Sequence, residues 1–540
     1  IEAFKAEGKP QEAIDIGLEV LKLLGIMFPQ KPNQSHIRRG LAEAKLAIGS
    51  KRIEDLIDLP QMTDKINLTV IRILSRLFPP AYNAAPAMVP LIVSKQVYLS
   101  VEYGNTSSSC FAYAVYGMVL SGISADAEIG YQFGQLALSL LSHFNAKEFK
   151  AKTLVAVNFA VKHWKDDLKE TLKPLLDAYS SGLETGDLEY TGAAAADYCI
   201  YAFLAGKELA ELKAETAAYS HALTQIRQER FASISKLFQQ AILNLMGEVE
   251  KPYQLIGAAY NEEIMLPLHS SANDITAIAL LHFFKLNLCY LFGEYDRAIQ
   301  NAESGEKVLG GIAGSAIIPV FYLYDSLARI AVDDGAQNSE ARKQMVSRIR
   351  ANQKKMKKWA EKAPMNYLHK FYLVEAERDR IFGQNVKAMD LYDQAIALAK
   401  ENDYLNEEAI AQELAAKFYL AKGKIKIAQA YMLDARYCYL RWGASSKVKH
   451  LDKTYPQLLA APIKSGITTT KITASMTSSG SDSNLDLASV VKASQAIAGE
   501  IFLENLLAKL MKIAIENAGA QKGFLLLPNS EQPGISVWRI

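Results

Sequence analysis

Three groups of side chains in this chain have types and spacings that could do chemistry. The first is SHALTQIR, from Ser220, which sets His221 on a helical stretch in the manner of a phosphoacceptor histidine. That chemistry wants an acidic neighbour after the histidine and an Arg-Thr/Asn-Pro ending, and Ala222 and Gln225 stand in those places. His221 is therefore expected on a helix surface. The second is the basic segment ARKQMVSRIRANQKKMKKWAEKAP, from Ala341 to Pro364, dense at Lys354, Lys355, Lys357, Lys358 and Trp359. Bunched lysines neutralise phosphates and a nearby tryptophan stacks on a base, but such a helix more often covers apolar neighbours with its lysine stems. A solvated outer face is the expectation, with no nucleic acid bound. The third is the carboxylate pairs Asp166-Asp167, Glu262-Glu263 and Glu407-Glu408. Adjacent residues on a helix point about 100° apart, so these pairs cannot share a proton across a cleft, and they read as helix solvation.

Other catalytic signatures are missing. There is no G-x-x-x-x-G-K-[ST] loop to cradle phosphates, no H-R-D or D-F-G to hold a base and magnesium, and no H-E-x-x-H for zinc. The eight histidines are scattered singly. No catalytic, cofactor-binding or metal-binding residue is assigned, no cofactor is expected, and the binding residues stay unassigned. Cys110, Cys199, Cys289 and Cys438 lie far apart and read as small buried apolar residues of a reducing, cytoplasmic compartment.

The elements that would position any site are helical. At 540 residues, half of them hydrophobic, the chain is too long for one compact core unless that core is quasi-linear. Its net charge of +2 provides no field toward nucleic acid or anionic lipid. The longest uncharged run, Val308 to Tyr324, is broken by Gly310, Gly311, Gly314 and Pro319 and falls short of the roughly 20 residues a membrane span needs. The chain opens without an initiator methionine or signal core and reads as a piece of a longer protein.

A glycine followed five residues later by alanine recurs at Gly8/Ala13, Gly122/Ala127, Gly293/Ala298, Gly383/Ala388 and Gly423/Ala428. Glycine can end one helix with positive φ, and alanine lets the next helix approach closely. Ala395 and Ala435 continue that narrow face. GEYDRAI, from Gly293 to Ile299, resembles the tetratricopeptide pattern G-x-Y-x-x-A-I. Gly383 to Gly423 is a step of 40 residues, against the usual period of about 34, so longer helices or fuller turns are expected. Near Pro79-Pro80, Pro86 and Pro90, and across Gly310 to Pro319, the signal fades into loops or displaced helices.

The fold class expected is thus an all-α, right-handed, tetratricopeptide-like solenoid over 1–460. A Ser/Thr-rich linker follows over 461–484, then a connecting helix over 485–500. Leu487, Val491, Ser494, Ala498 and Ile501 could form a short coiled-coil seam there, hence a possible homodimer. GFLLLP and ISVWRI then alternate as a strand pair.

This order of parts resembles the large bacterial, notably cyanobacterial, signalling proteins that join a Ser/Thr kinase, a P-loop ATPase, a tetratricopeptide-like region, a GAF sensor and a histidine kinase. The resemblance lies in IEDLIDLPQMTD from Ile53, YDSLARIA from Tyr324, WAEKAPMNYLHKFYLVEAE from Trp359, EEAIAQELAAKFYL from Glu407 and RWGASSKVKHLDKTYPQLL from Arg441. The junction SVVKASQAIAGEI…LLAKLMKIAIENAGAQKGFLLL is similar to the entry into GAF, which makes 501–540 the N-terminal fragment of that domain. The resemblance implies a non-enzymatic regulatory scaffold within a multi-domain kinase, bound to other proteins or to other domains of its parent. A small-molecule receptor, with ligand in a completed GAF domain or a solenoid pocket, is the alternative.

Overall fold

The computed structural model describes residues 1–123, 126–247, 249–333 and 340–459, together with strands 524–528 and 535–539. The expected linker, connecting helix and Leu487-to-Ile501 seam lie outside the described residues. The chain divides into two units, Ile1–Ala461 and Pro462–Ile540. In the second, Phe524–Pro528 and Ile535–Arg539 pair antiparallel, with Phe524 opposite Arg539 and Leu526 opposite Val537, the hairpin expected from their alternation.

The first unit is helical throughout its described regular structure, and successive helices pack on one another. Pro364–Ile381 lies on Asn385–Glu401, and Leu405–Ala421 on Ile425–Trp442. The turn glycines behave as the sequence suggests: Gly8, Gly293, Gly383 and Gly423 have positive φ. At Gly293 the chain reverses through a hydrogen bond from Glu294 N to Cys289 O of 2.9 Å, the closure that meets a helix end's free carbonyls. The alanines that follow, Ala13, Ala298, Ala388 and Ala428, are wholly buried.

Non-glycine residues make the same turn. Asp403 has φ +52°, and Tyr404 N closes on Ala399 O at 2.8 Å. Among the described residues Asn145, Arg227 and Asn273 are the other non-glycine residues at positive φ. Gly383, Asp403, Gly423 and Gly443 are therefore turns spaced 20 residues apart, separated by helices of 17 or 18 residues. The 40-residue step is two helices and two turns, and its longer helices are present.

Two expectations need correction. Gly122 lies inside the Ser107–Ile123 helix rather than at a turn, and a Cβ there would sit 3.9 Å from Gly314 Cα. That is ordinary van der Waals contact at an exposed position, so packing does not require glycine there. Pro79 and Pro80 lie within the 20-residue helix Lys65–Ala84. Leu77, Phe78, Pro79, Pro80 and Ala81 are all buried, and this burial offsets the two forfeited backbone donors.

Among the described residues two large cores and two small clusters fill the unit. One large core runs from Leu21 to Val157; the larger runs from Trp164 to Leu458. Trp442, Tyr392 and Phe283 are among its fully buried side chains, each contributing roughly 2–3 kcal/mol. All four cysteines are buried and free. Among the described residues no helix is long and apolar enough to cross a membrane.

Candidate functional site

Polar side chains stitch together parts of the chain far apart in sequence. Asn366, in the first turn of Pro364–Ile381, donates through Nδ2 to His163 O at 2.9 Å and Asp166 O at 2.7 Å. Its Oδ1 accepts from Leu168 N at 3.0 Å and Tyr404 Oη at 2.8 Å. Two donors face two carbonyls and one acceptor faces two donors, so this buried amide is fully satisfied in a single orientation. His163 lies in the same seam, with Nε2 2.9 Å from Gly314 O and Nδ1 2.6 Å from Tyr367 Oη. A carbonyl can only accept, so Nε2 carries the proton and Nδ1 accepts from the tyrosine. Burial pushes this imidazole down to a pKa of about 3, against the pull of Gly314 O, and keeps it neutral.

Next to Asn366, Glu407 meets Lys370 Nζ at 2.6 Å and also contacts His369 Nε2. Lys370 donates to Asn366 O at 2.7 Å. Burial alone would raise the Glu407 carboxyl, but Lys370 and His369 outweigh it and hold it below its usual range. His369 is pushed down to about 4 by burial and then by Lys370. The neighbouring glutamate would raise it, yet the lysine already neutralises that carboxylate, so the neutral imidazole is the consistent state. Further along, Glu413 takes Lys417 at 2.7 Å, Lys447 at 3.0 Å and the Tyr439 hydroxyl at 2.9 Å. Burial opposes its charge, but Lys417 and Lys447 hold it down to about 2. Lys447 also donates to Leu291 O at 2.5 Å, and Trp442 Nε1 to Lys207 O at 3.1 Å.

Solvation therefore does not account for the carboxylate pairs. One member of two pairs turns inward: Glu407, as described, and Glu262, which is buried and takes Lys285 Nζ at 2.8 Å. The 100° divergence places Glu263 outside and gives Glu262 a cation. Asp166 accepts from Tyr131 Oη at 2.9 Å, and Asp167 caps Lys169 N at 2.9 Å. His221 is exposed, 2.9 Å from Gln225, as expected. Among the described residues no three His, Cys, Asp or Glu side chains group to hold a metal.

An apolar cleft of ligand size lies where the two large cores meet and holds about 650 Å³. Tyr82, Val89 and Met118 belong to the first core or pack on it; Trp164, Ile318 and Trp359 belong to the second or pack on it. The rings of Trp164 and Trp359 are 5.7 Å apart, and Tyr322 lies 6.0 Å from Trp359. The helix Glu340–Lys362 turns Ile349, Asn352, Gln353, Met356 and Ala360 inward. Lys355, Lys358, Trp359 and Lys362 follow three-, one- and three-residue steps on another face and line the cleft. The expected covering of apolar neighbours holds for Lys355, whose ammonium sits 4.1 Å over the Tyr322 ring and donates to its hydroxyl at 2.8 Å. Trp359 beside the lysines was legible. Tyr82, Met118 and Trp164 carried no local signal, because they enter the cleft only through packing across distant chain.

No family model matches the chain. It is similar to hybrid signal transduction histidine kinase G of Dictyostelium discoideum, 22% identical over 493 aligned residues, covering 72% of this chain and 14% of that protein. The chain thus spans a small part of that relative's length. The similarity supports a relationship to signalling kinases.

Proposed function

We propose that this chain is a non-catalytic regulatory and protein-interaction segment of a multi-domain signal-transduction kinase. A tetratricopeptide-like array over 1–460 leads through a linker over 461–484 and a connecting helix over 485–500 into the front edge of a GAF sensor over 501–540. The observation that carries this reading is the similarity to a hybrid histidine kinase across 72% of the chain. Helix pairs with a turn every 20 residues along Gly383 to Gly443 support the scaffold part, since paired helices of fixed spacing present side chains at low ordering cost. Its partners are other domains of the parent protein or separate proteins, and this segment itself carries out no reaction. Crosslinking of the full-length parent, with and without nucleotide, should join residues of 1–460 to another domain or a partner, and should do so differently in the two states. Crosslinks confined within 1–460 in both states would overturn the proposal.

A further inference from the structure

We propose that the cleft between the two cores binds a small amphipathic anion, its apolar body against Trp164 and Trp359 and its terminal carboxylate or phosphate at Lys358 and Lys362. The inference goes beyond the scaffold reading and stands or falls separately from it.

The volume, about 650 Å³, suits a small ligand, for which sites span roughly 300–1,000 Å³. The walls are hydrocarbon: Pro86, Pro90, Met118, Val119, Leu309 and Ile318. Such walls offer an entering body dispersion and the hydrophobic effect, and among them the Ser121 hydroxyl is a buried group with no hydrogen-bond partner that a ligand oxygen could meet. Trp164, Trp359 and Tyr322 make one side aromatic.

The charge at the rim has one sign in excess. Lys355, Lys358 and Lys362 line the cleft with a single acid, Glu361. Lys355 is held at Tyr322. Glu128, the acid nearest in effect to Lys362, is itself paired with Lys165 at 2.8 Å. Lys358 and Lys362 form no ion pair or hydrogen bond among the described residues. Two unpaired ammonium groups beside an apolar wall favour an anionic head, because their field is less screened there than in open water. A purely apolar ligand would leave them unused, and a cation would be repelled.

The test is a titration of the full chain with dodecanoate, dodecyl phosphate, dodecanol and dodecyltrimethylammonium below their aggregation limits, read by tryptophan fluorescence. Trp359→Phe assigns the signal to the cleft. Saturable binding of dodecanoate, dodecyl phosphate or both is expected, with the arm that binds identifying the head group, and with dodecanol about tenfold weaker or worse. The double variant Lys358→Glu/Lys362→Glu should weaken the anion by at least about tenfold. Both lysines are exposed, so its melting temperature should stay unchanged. Ala313→Phe, at an exposed position lining the cleft, should block binding while keeping the lysines. Equal affinity for dodecanol and dodecanoate, indifference to the charge reversal, or no saturable binding of either anion would overturn the proposal. In the last case the cleft would be left for a protein segment.

Discussion

Several buried and half-buried imidazoles shape how this protein responds to acid. Burial holds His163 down to about 3, burial with Lys370 holds His369 down to about 4 and burial with Lys447 holds His450 down to about 4, from an ordinary 6.5, and burial also lowers His269 and His282. A histidine whose folded pKa is depressed is neutral in the fold and takes up a proton on unfolding at any pH between the two values. Its contribution to stability is therefore complete above about 6.5 and is lost as the pH falls toward 4, by about 1.4 kcal/mol per pH unit for each imidazole. Urea unfolding between about pH 7 and pH 5, above the range in which Glu413 titrates, should show this loss, and His369→Gln should reduce the slope by about one proton. A slope unchanged in that variant would remove His369 from the account. Asn366→Ala should cost about 4 kcal/mol, because buried partners at His163 O, Asp166 O, Leu168 N and Tyr404 Oη lose their mates together. The measurement is equilibrium unfolding. None of this was legible beforehand. WAEKAPMNYLHKFYLVEAE stood out as a resemblance, but an asparagine in it gives no hint that its partners lie about 200 residues upstream. Adjacent glutamates show their divergence, not which of them finds a lysine.

Among the elements, the helices and many of their turns could be read directly, since a helix end that must reverse in few residues favours glycine and the next helix needs a small residue for close approach. The glycine-to-alanine spacing marks Gly293, Gly383 and Gly423 correctly. It fails at Gly122, because a glycine that simply continues a helix looks the same in sequence as one chosen for positive φ. It misses Asp403, because aspartate tolerates the left-handed region without announcing it. Gly383 and Asp403 make opposite tests of this account. At Gly383, φ is +73° and a Cβ would meet nothing within 4 Å, so Gly383→Ala isolates backbone strain and should cost about 1 kcal/mol. Asp403 is exposed at φ +52°, and Asp403→Gly should be neutral or stabilising by up to about 1 kcal/mol. Thermal unfolding of the two variants decides; a loss at both positions would mean that the turn depends on side-chain contacts rather than on φ.

For the first unit as a whole, the difference between a neighbour-to-neighbour array and this protein is closure. An array whose helices touch only their neighbours has a stability that is a sum of local terms and opens segment by segment. Repeat spacing supports that expectation because it counts adjacent helices only. Here Asn366 and Tyr367 hold the 163–168 stretch, Trp442 holds Lys207 O and Lys447 holds Leu291 O, so the second half of the array cannot open without unpairing buried groups in the middle. Native-state hydrogen exchange should therefore give the Leu188–Leu204 and Leu405–Ala421 helices one common opening free energy and one denaturant dependence. The Gln34–Ile48 helix, whose buried residues are only Ile37, Ala44 and Ile48, should open at lower cost. Asn366→Ala should split the common opening into two, with Leu405–Ala421 released first, because the variant removes the link while leaving each helix's own core contacts in place. If the two helices already open independently in the unaltered protein, the seam does not couple them. A shift imposed at one end of the array would then fade along it, and the proposed regulatory role would have to act through local contacts.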